Sequence, residues 1–219
     1  GTITGRMSHK APNMAQVPAV YSPYGKECRA LWTVSSDDYT LLGTDASGLE
    51  LRMLAHYMND EAYTKEVVEG DVHTANQTAA GLPTRDNAKT FIYAFLLGAG
   101  VGKIAEILGC NGGQANKAMQ NFYETLPTLK RLKSEASRAA SMGWMKGLDG
   151  RILRIGSDHL ALSVYLQGGE TVIMRLANVF WQRKAKEERI NFKQCAWVHD
   201  EWQTEVDAEQ AERLGEIQV

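Results

Sequence analysis

Arg85, Lys89 and Tyr93 recur at i, i+4 and i+8 in a run from Arg85 to Gly98 that contains no internal Gly or Pro. On a helix they share one stripe, each about a turn from the next. Two permanent cations and one aromatic ring on a single stripe can grip a triphosphate and cover a flat base. The same spacing also describes the solvated basic edge of an ordinary amphipathic helix, and on spacing alone that plainer reading is the commoner one. A second basic stretch holds Lys130, Arg131, Lys133, Arg138, Lys146, Arg151 and Arg154 against Glu135 and Asp149. It offers a local face for phosphates, or a solvated helix surface.

The elements that must position these side chains follow from capping and periodicity. Thr84, after Pro83, is a helix N-cap, and Phe91, Ile92, Phe95 and Leu96 give that helix its apolar face. Upstream, residues 1–26 read as irregular with short strands, and Cys28 to Val34 reads as a strand. Tyr39 to Ala46 reads as a buried strand ending at Asp45. Leu49 to Met58 has helical periodicity, with Leu51, Leu54 and Ala55 inward. A short helix over Glu61 to Glu69 precedes one capped by Asp71 and running to about Ala80. Lys103 to Leu108, Gln114 to Thr125 and Pro127 to about Gly143 are further helices, with a break at Gly112-Gly113. Trp144 to Ile155 reads as a hairpin, and Ser157 to Glu188 as a long helix carrying Gln167-Gly168-Gly169. Phe192 to Val198 and Trp202 to Val206 read as strands flanking His199-Asp200-Glu201, and Asp207 as the cap of a final helix. Few strands among many helices give an α+β, or mixed α/β, class.

At 219 residues the chain can bury a real core, in one domain or two intimate lobes. Net charge is 24 − 26 = −2 with His neutral, which does not by itself advertise nucleic acid. No apolar run approaches the roughly 20 residues that cross a bilayer, and no signal peptide is evident. Cys28, Cys110 and Cys195 are scattered without metal spacing and read as reduced thiols, which points to a cytoplasmic protein. A polar start at Gly1 rather than Met reads as a fragment or a processed product.

Four stretches in order, Thr4-Gly5-Arg6, Thr44 to Arg52 (Thr-Asp-Ala-Ser-Gly-Leu-Glu-Leu-Arg), Arg85 to Gly98, and Ala196 to Trp202 (Ala-Trp-Val-His-Asp-Glu-Trp), resemble the motifs of the DNA polymerase I family, family A. Pro12 to Pro18 and Ser22 to Gly25 are similar to its phage replicative branch. The resemblance implies a right-hand polymerase: a palm with an antiparallel sheet over residues 1–56 and 147–219, truncated C-terminally, and mostly helical fingers over 57–146. A thumb and a proofreading exonuclease are expected to be absent. It further implies DNA-templated DNA synthesis in a phage-infected or bacterial host, with primer-template DNA and dNTPs as partners, no membrane, and a separate chain that can supply thumb or exonuclease. Two Mg²⁺ ions are the implied cofactors, with Mn²⁺ as a substitute, because hard cations need carboxylate oxygens.

Residue by residue, the resemblance selects Asp45 and Asp200 as metal ligands, with the Ala46 carbonyl as a third and Glu201 beside them. Taken singly, an aspartate at a strand end or in a hairpin is more often a cap or turn residue. Arg85 is placed on the γ-phosphate, Lys89 near the α-phosphate, and His73 and Tyr93 against the nucleotide. Glu50 matches the gate that excludes a 2′-hydroxyl. Arg6, Gln167 and His199 match positions that touch the primer end or the minor groove. Leu97, Ala94 and Ser163 depart from the usual Tyr, Gly and Asn. Two competing readings remain at this stage: a non-catalytic fragment that binds primer-template or assembles with a missing thumb segment, and a single-subunit RNA polymerase, against which Glu50 argues.

Overall fold

Capping side chains set most of the element boundaries in the computed structural model, which describes residues 2–219. Residues 2–24 hold a 3₁₀ turn at Met14–Gln16 and lead into α1 (Gly25–Ala30) and β1 (Tyr39–Asp45). Seven helices follow: α2 (Leu49–Met58), α3 (Glu61–Val68), α4 (Val72–Ala80), α5 (Arg85–Leu96), α6 (Val101–Leu108), α7 (Gly112–Thr125) and α8 (Pro127–Met142). The hairpin β2 (Trp144–Lys146) and β3 (Ile152–Arg154) precedes the long α9 (Ala161–Glu187), then β4 (Phe192–Val198), β5 (Glu201–Asp207) and α10 (Ala211–Gln218). Asp60, Asp71 and Thr84 cap α3, α4 and α5 by accepting from backbone N–H groups of the first turn. Asn111 and Gln114 close a reciprocal capping box on α7, so this helix begins at Gly112, where a break is expected from the Gly pair.

The chain divides into two units: residues up to Ser47 with Glu170–Val219, and Gly48–Gly169. The first is built on an antiparallel sheet of order β1-β5-β4. Its central strand buries Trp202, Thr204, Glu205 and Val206. Trp181 of α9 packs on Trp202 and Phe192, with ring centroids 5.7 and 5.1 Å apart. Glu205 is 5% exposed and is held by Ser35 N at 2.6 Å, Ser35 Oγ at 2.7 Å and Lys193 Nζ at 3.1 Å. A buried carboxylate needs that many partners.

The second unit is helical around one apolar core. Phe91 and Phe95 of α5 meet Phe122 of α7 edge-on, at 5.3 and 5.5 Å between centroids. Leu54, Met58, Ile92, Leu96, Ile104, Leu129, Leu162 and Leu166 complete the core. The turn after α5 holds Gly98, whose φ of +82° and packing admit only glycine: a Cβ there would lie 1.9 Å from the His159 carbonyl oxygen.

Two expectations about the first forty residues fail. Among residues 2–26 there is no strand, and Cys28 to Val34 is not a strand but the end of α1 and a turn. The cause is local. Gly25 N bonds Ser22 O at 2.9 Å and Cys28 N bonds Tyr24 O at 2.9 Å, so a turn at Ser22–Gly25 winds directly into a helix. Among the described residues no strand lies beside β1 on its outer side to offer a ladder partner. The long helix also starts later than its periodicity implies, as a 3₁₀ turn at Asp158–Leu160, and Asp207 caps a 3₁₀ turn ahead of α10.

Candidate active site

The antiparallel register of β1 and β5 sets Asp45, the last residue of β1, opposite Glu201, the first of β5. Such facing residues have Cβ atoms about 4.5–5.5 Å apart. Val198 pairs with Glu201, so His199 and Asp200 form the whole turn between β4 and β5. Ala46 N donates to Asp200 O at 3.0 Å and ties that turn to the end of β1. His199 has φ +57°, a left-handed conformation that costs a non-glycine residue about 1–3 kcal/mol. Its carbonyl accepts from Trp197 Nε1 at 2.9 Å.

Three carboxylates therefore gather at one end of the sheet. Burial, then the charges of Asp200 and Glu201, push the Asp45 carboxyl above its ordinary value. Among the described residues no Lys or Arg pairs with any of the three. Gln203 Nε2 donates to Glu201 instead. No group of three or more His, Cys, Asp or Glu among the described residues forms a ready-made metal cage. Magnesium asks for less: one or two carboxylates, with water and substrate phosphates filling the octahedron. Two repelling aspartates and a nearby backbone carbonyl suit that hard cation.

Arg6 sits in the same unit, in an ion pair with Glu170, a partner 164 residues away that no local pattern indicates. Burial pushes the Glu170 carboxyl up, against the pull of Arg6. His199 is pushed down by burial first, then by Arg6, with His9 adding and Asp200 opposing. Arg6, His9, His199 and Asp200 thus share one neighbourhood around the turn, and His9 Nε2 meets Trp197 O at 2.7 Å.

The helical unit assembles a second set on α4 and α5. Arg85 opens α5, and Asp71 caps α4. The loop between them doubles back along α4: Gly81 takes φ +65° and Gln77 Nε2 donates to Pro83 O at 3.1 Å. The start of α5 thereby comes beside the start of α4, and Arg85 donates Nε and Nη2 to the two Asp71 oxygens at 2.6 and 3.0 Å. That guanidinium holds the Asp71 carboxyl well below the usual range. His73 lies 6.2 Å, ring to ring, from Tyr93, and its Nδ1 is buried without a hydrogen-bond partner. Burial, then Arg85 and Lys89, push its imidazole down, with Asp71 opposing. Lys89 is exposed and makes no ion pair among the described residues. The stripe of Arg85, Lys89 and Tyr93 is real, and His73 joins it from the neighbouring helix.

Two further expected residues stand on α2 and α9. Glu50 is half-buried in the first turn of α2. Gln167 is on α9, where its Nε2 donates to Ser163 Oγ at 2.9 Å. Of the basic stretch, Arg131 donates to Met58 O at 3.2 Å, Lys133 lies 5.6 Å over the Phe95 ring, and Arg151 donates to Gly168 O at 2.9 Å. Lys130, Arg138, Lys146 and Arg154 stay exposed and make no ion pair among the described residues.

The family model described as DNA polymerase family A matches residues 1–218. The chain is 38% identical over 234 aligned residues to the DNA-directed DNA polymerase of Escherichia phage T7, covering 93% of this chain and 33% of that protein. It is 27% identical to DNA polymerase I of Helicobacter pylori, covering 98% of the chain and 26% of that protein. It therefore spans about a third or less of the length of these relatives. The POL domain of Pol1 from M. smegmatis, solved in complex with DNA primer-template and dNTP, superposes with a TM-score of 0.87 at 21% identity, over 99% of this chain and 42% of that one. That likeness fixes the fold: the mixed α+β architecture is that of part of a polymerase domain. No helix among the described residues is long and apolar enough to cross a membrane.

Proposed function

The chain belongs to DNA polymerase family A, and from that premise we propose that it carries the nucleotidyl-transfer chemistry of a DNA-templated DNA polymerase. A primer 3′-hydroxyl attacks the α-phosphate of a dNTP, a P–O bond forms, and pyrophosphate leaves with the bond that breaks. The observation that carries this reading is the unpaired set of carboxylates at the end of β1 and the β4–β5 turn. Asp45, Asp200 and the Ala46 carbonyl would hold two Mg²⁺ ions, or Mn²⁺ in their place. When bound, such ions lower the pKa of the primer hydroxyl and neutralise charge at the transferred phosphorus. Glu201 adds negative potential beside the two aspartates.

In the helical unit, Arg85 binds the γ-phosphate through its guanidinium edge, and His73 offers a neutral imidazole N–H to the triphosphate. Lys89 lies by the α-phosphate and protonates the departing pyrophosphate. The Tyr93 ring lies against the sugar and base. Glu50 excludes a 2′-hydroxyl by bulk and charge. Arg6, His199 and Gln167 bind the primer end and the minor groove. In this reading residues 1–56 and 147–219 act as palm and 57–146 as fingers. Primer-template DNA and dNTPs are the partners, and a separate segment or chain supplies thumb or exonuclease.

The test is single-nucleotide extension of a primer-template by this chain with Mg²⁺, offering a dNTP and the matching rNTP in turn. Templated addition of the dNTP in strong preference to the rNTP is expected. Equal use of both would remove Glu50 from its role, and no addition of either would remove the catalytic reading.

A further inference from the structure

Asp71 does more than begin a helix. Its two oxygens accept five hydrogen bonds. Oδ1 takes His73 N at 3.1 Å, Thr74 N at 3.4 Å and Arg85 Nη2 at 3.0 Å. Oδ2 takes Thr74 Oγ1 at 2.8 Å and Arg85 Nε at 2.6 Å. Three of these bonds belong to α4 and fix the carboxylate to that helix. The other two hold the Arg85 guanidinium by its side edge.

The edge matters. Nε and one Nη2 hydrogen are engaged, and Arg85 has no hydrogen-bond partner beyond Asp71 among the described residues. The Nη1 side of the guanidinium therefore keeps its N–H donors, and a guanidinium can bind a carboxylate by one edge and a phosphate by another. Arg85 is the first residue of α5, and its side chain is 49% exposed. Without a partner, so long a side chain samples many rotamers, and ligand binding must then arrest that motion. The pairing with Asp71 arrests it beforehand. The same carboxylate also bonds the backbone of His73, so one group aligns two of the residues assigned to the triphosphate.

We propose that Asp71 is a positioning residue for the nucleotide triphosphate, holding Arg85 by its side edge so that the remaining guanidinium donors are set for a phosphate. This inference rests on the assignment of Arg85 to the triphosphate. The opposite device, in which the carboxylate plugs the phosphate site until a nucleotide displaces it, predicts tighter rather than weaker nucleotide binding once the Asp71 charge is removed.

The test is equilibrium binding of Mg²⁺-dTTP to the chain and to three variants: Asp71→Asn, Arg85→Ala and the double variant. Asparagine caps a helix as well as aspartate does, so Asp71→Asn keeps α4 while removing the charge that holds the guanidinium. Thermal melts of each variant confirm that the fold is retained. Arg85→Ala is expected to weaken dTTP binding, and Asp71→Asn to weaken it by about tenfold, the scale of one charge-assisted hydrogen bond. In the Arg85→Ala background Asp71→Asn should add little, because its effect runs through Arg85. No dTTP binding by the parent, or no loss in Arg85→Ala, overturns the assignment of Arg85 itself. A loss in Arg85→Ala with unchanged or tighter binding in Asp71→Asn overturns the positioning role and leaves the Arg85 assignment standing. Equal losses from Asp71→Asn in both backgrounds show that Asp71 acts independently of Arg85, and likewise overturn it.

Discussion

Arg85 and Lys89 stand one helical turn apart, and on the proposed assignment they act at different moments of the reaction. A γ-phosphate carries similar charge before and during transfer, whereas charge develops at the α-phosphate and its leaving oxygen. Arg85→Ala should therefore raise KM for dNTP with a smaller change in kcat, and Lys89→Ala should mainly lower the rate of chemistry. Single-turnover rates across a dNTP titration separate the two, and unchanged dNTP affinity in Arg85→Ala would remove it from the triphosphate. Tyr93 supplies a further residue-level test. A tyrosine hydroxyl can replace the hydrogen bond that a dideoxynucleotide lacks, and phenylalanine cannot. Tyr93→Phe should raise discrimination against ddNTP by about ten- to a hundredfold, the worth of a hydrogen bond to a charged group. Competition of ddTTP with dTTP gives the ratio, and equal ratios in parent and variant would place Tyr93 outside the nucleotide site. At this scale the stripe on α5 could be read from spacing, because helical period alone sets who shares a face. The partners Asp71 and Glu170 could not, because each depends on a chain reversal or on a contact across most of the sequence.

Elements were legible where capping and periodicity agreed. Thr84 and the apolar face of Phe91, Ile92, Phe95 and Leu96 define α5, and the helix closes at Leu96, two residues before the expected stop at Gly98. Leu31, Trp32 and Val34 have the look of strand residues, whereas the turn at Ser22–Gly25 winds into α1 ahead of them. Gly98 tests the packing argument. Gly98→Ala should destabilise the chain by about 2 kcal/mol or more, since it joins a left-handed backbone to a clash with the His159 carbonyl. Chemical denaturation measures it, and a loss under about 0.5 kcal/mol would show that this end of α5 yields easily. α4 carries a pH signature. Burial, Arg85 and Lys89 hold the His73 imidazole below its ordinary value of 6.5, with Asp71 opposing. A depressed folded value means that the folded chain binds fewer protons than the unfolded chain near pH 6. The contribution is present above pH 6.5 and is lost as pH falls through the folded value. The parent should therefore lose stability between pH 7 and 5 relative to His73→Gln, and parallel stability curves for the two would contradict the burial of that ring.

For the molecule as a whole, a net charge of −2 does not exclude DNA, because four cations of one stretch are exposed. Lys130, Arg138, Lys146 and Arg154 remain exposed and unpaired on α8 and the β2–β3 hairpin, while three neighbouring cations are spent on internal contacts. Counting cations in the sequence overstates the charge available to DNA, because the count cannot tell which side chains bond backward into the fold. If all four engage phosphates, the logarithm of the binding constant for duplex should fall with the logarithm of salt at a slope of about −4. Each neutralising substitution among them should flatten the slope by about 1. A flat salt dependence would show that this surface does not bind DNA.

The central claim is that Asp45 and Asp200 hold the metal ions of nucleotidyl transfer. Its most direct measurement is the single-turnover rate of templated dNTP addition with Mg²⁺ in the parent, Asp45→Asn and Asp200→Asn, each shown by thermal melting to be folded. The account predicts templated addition by the parent and none detectable in either variant, because an amide cannot supply the anionic oxygen that a hard cation requires. A rate near the parental one in either variant would contradict it.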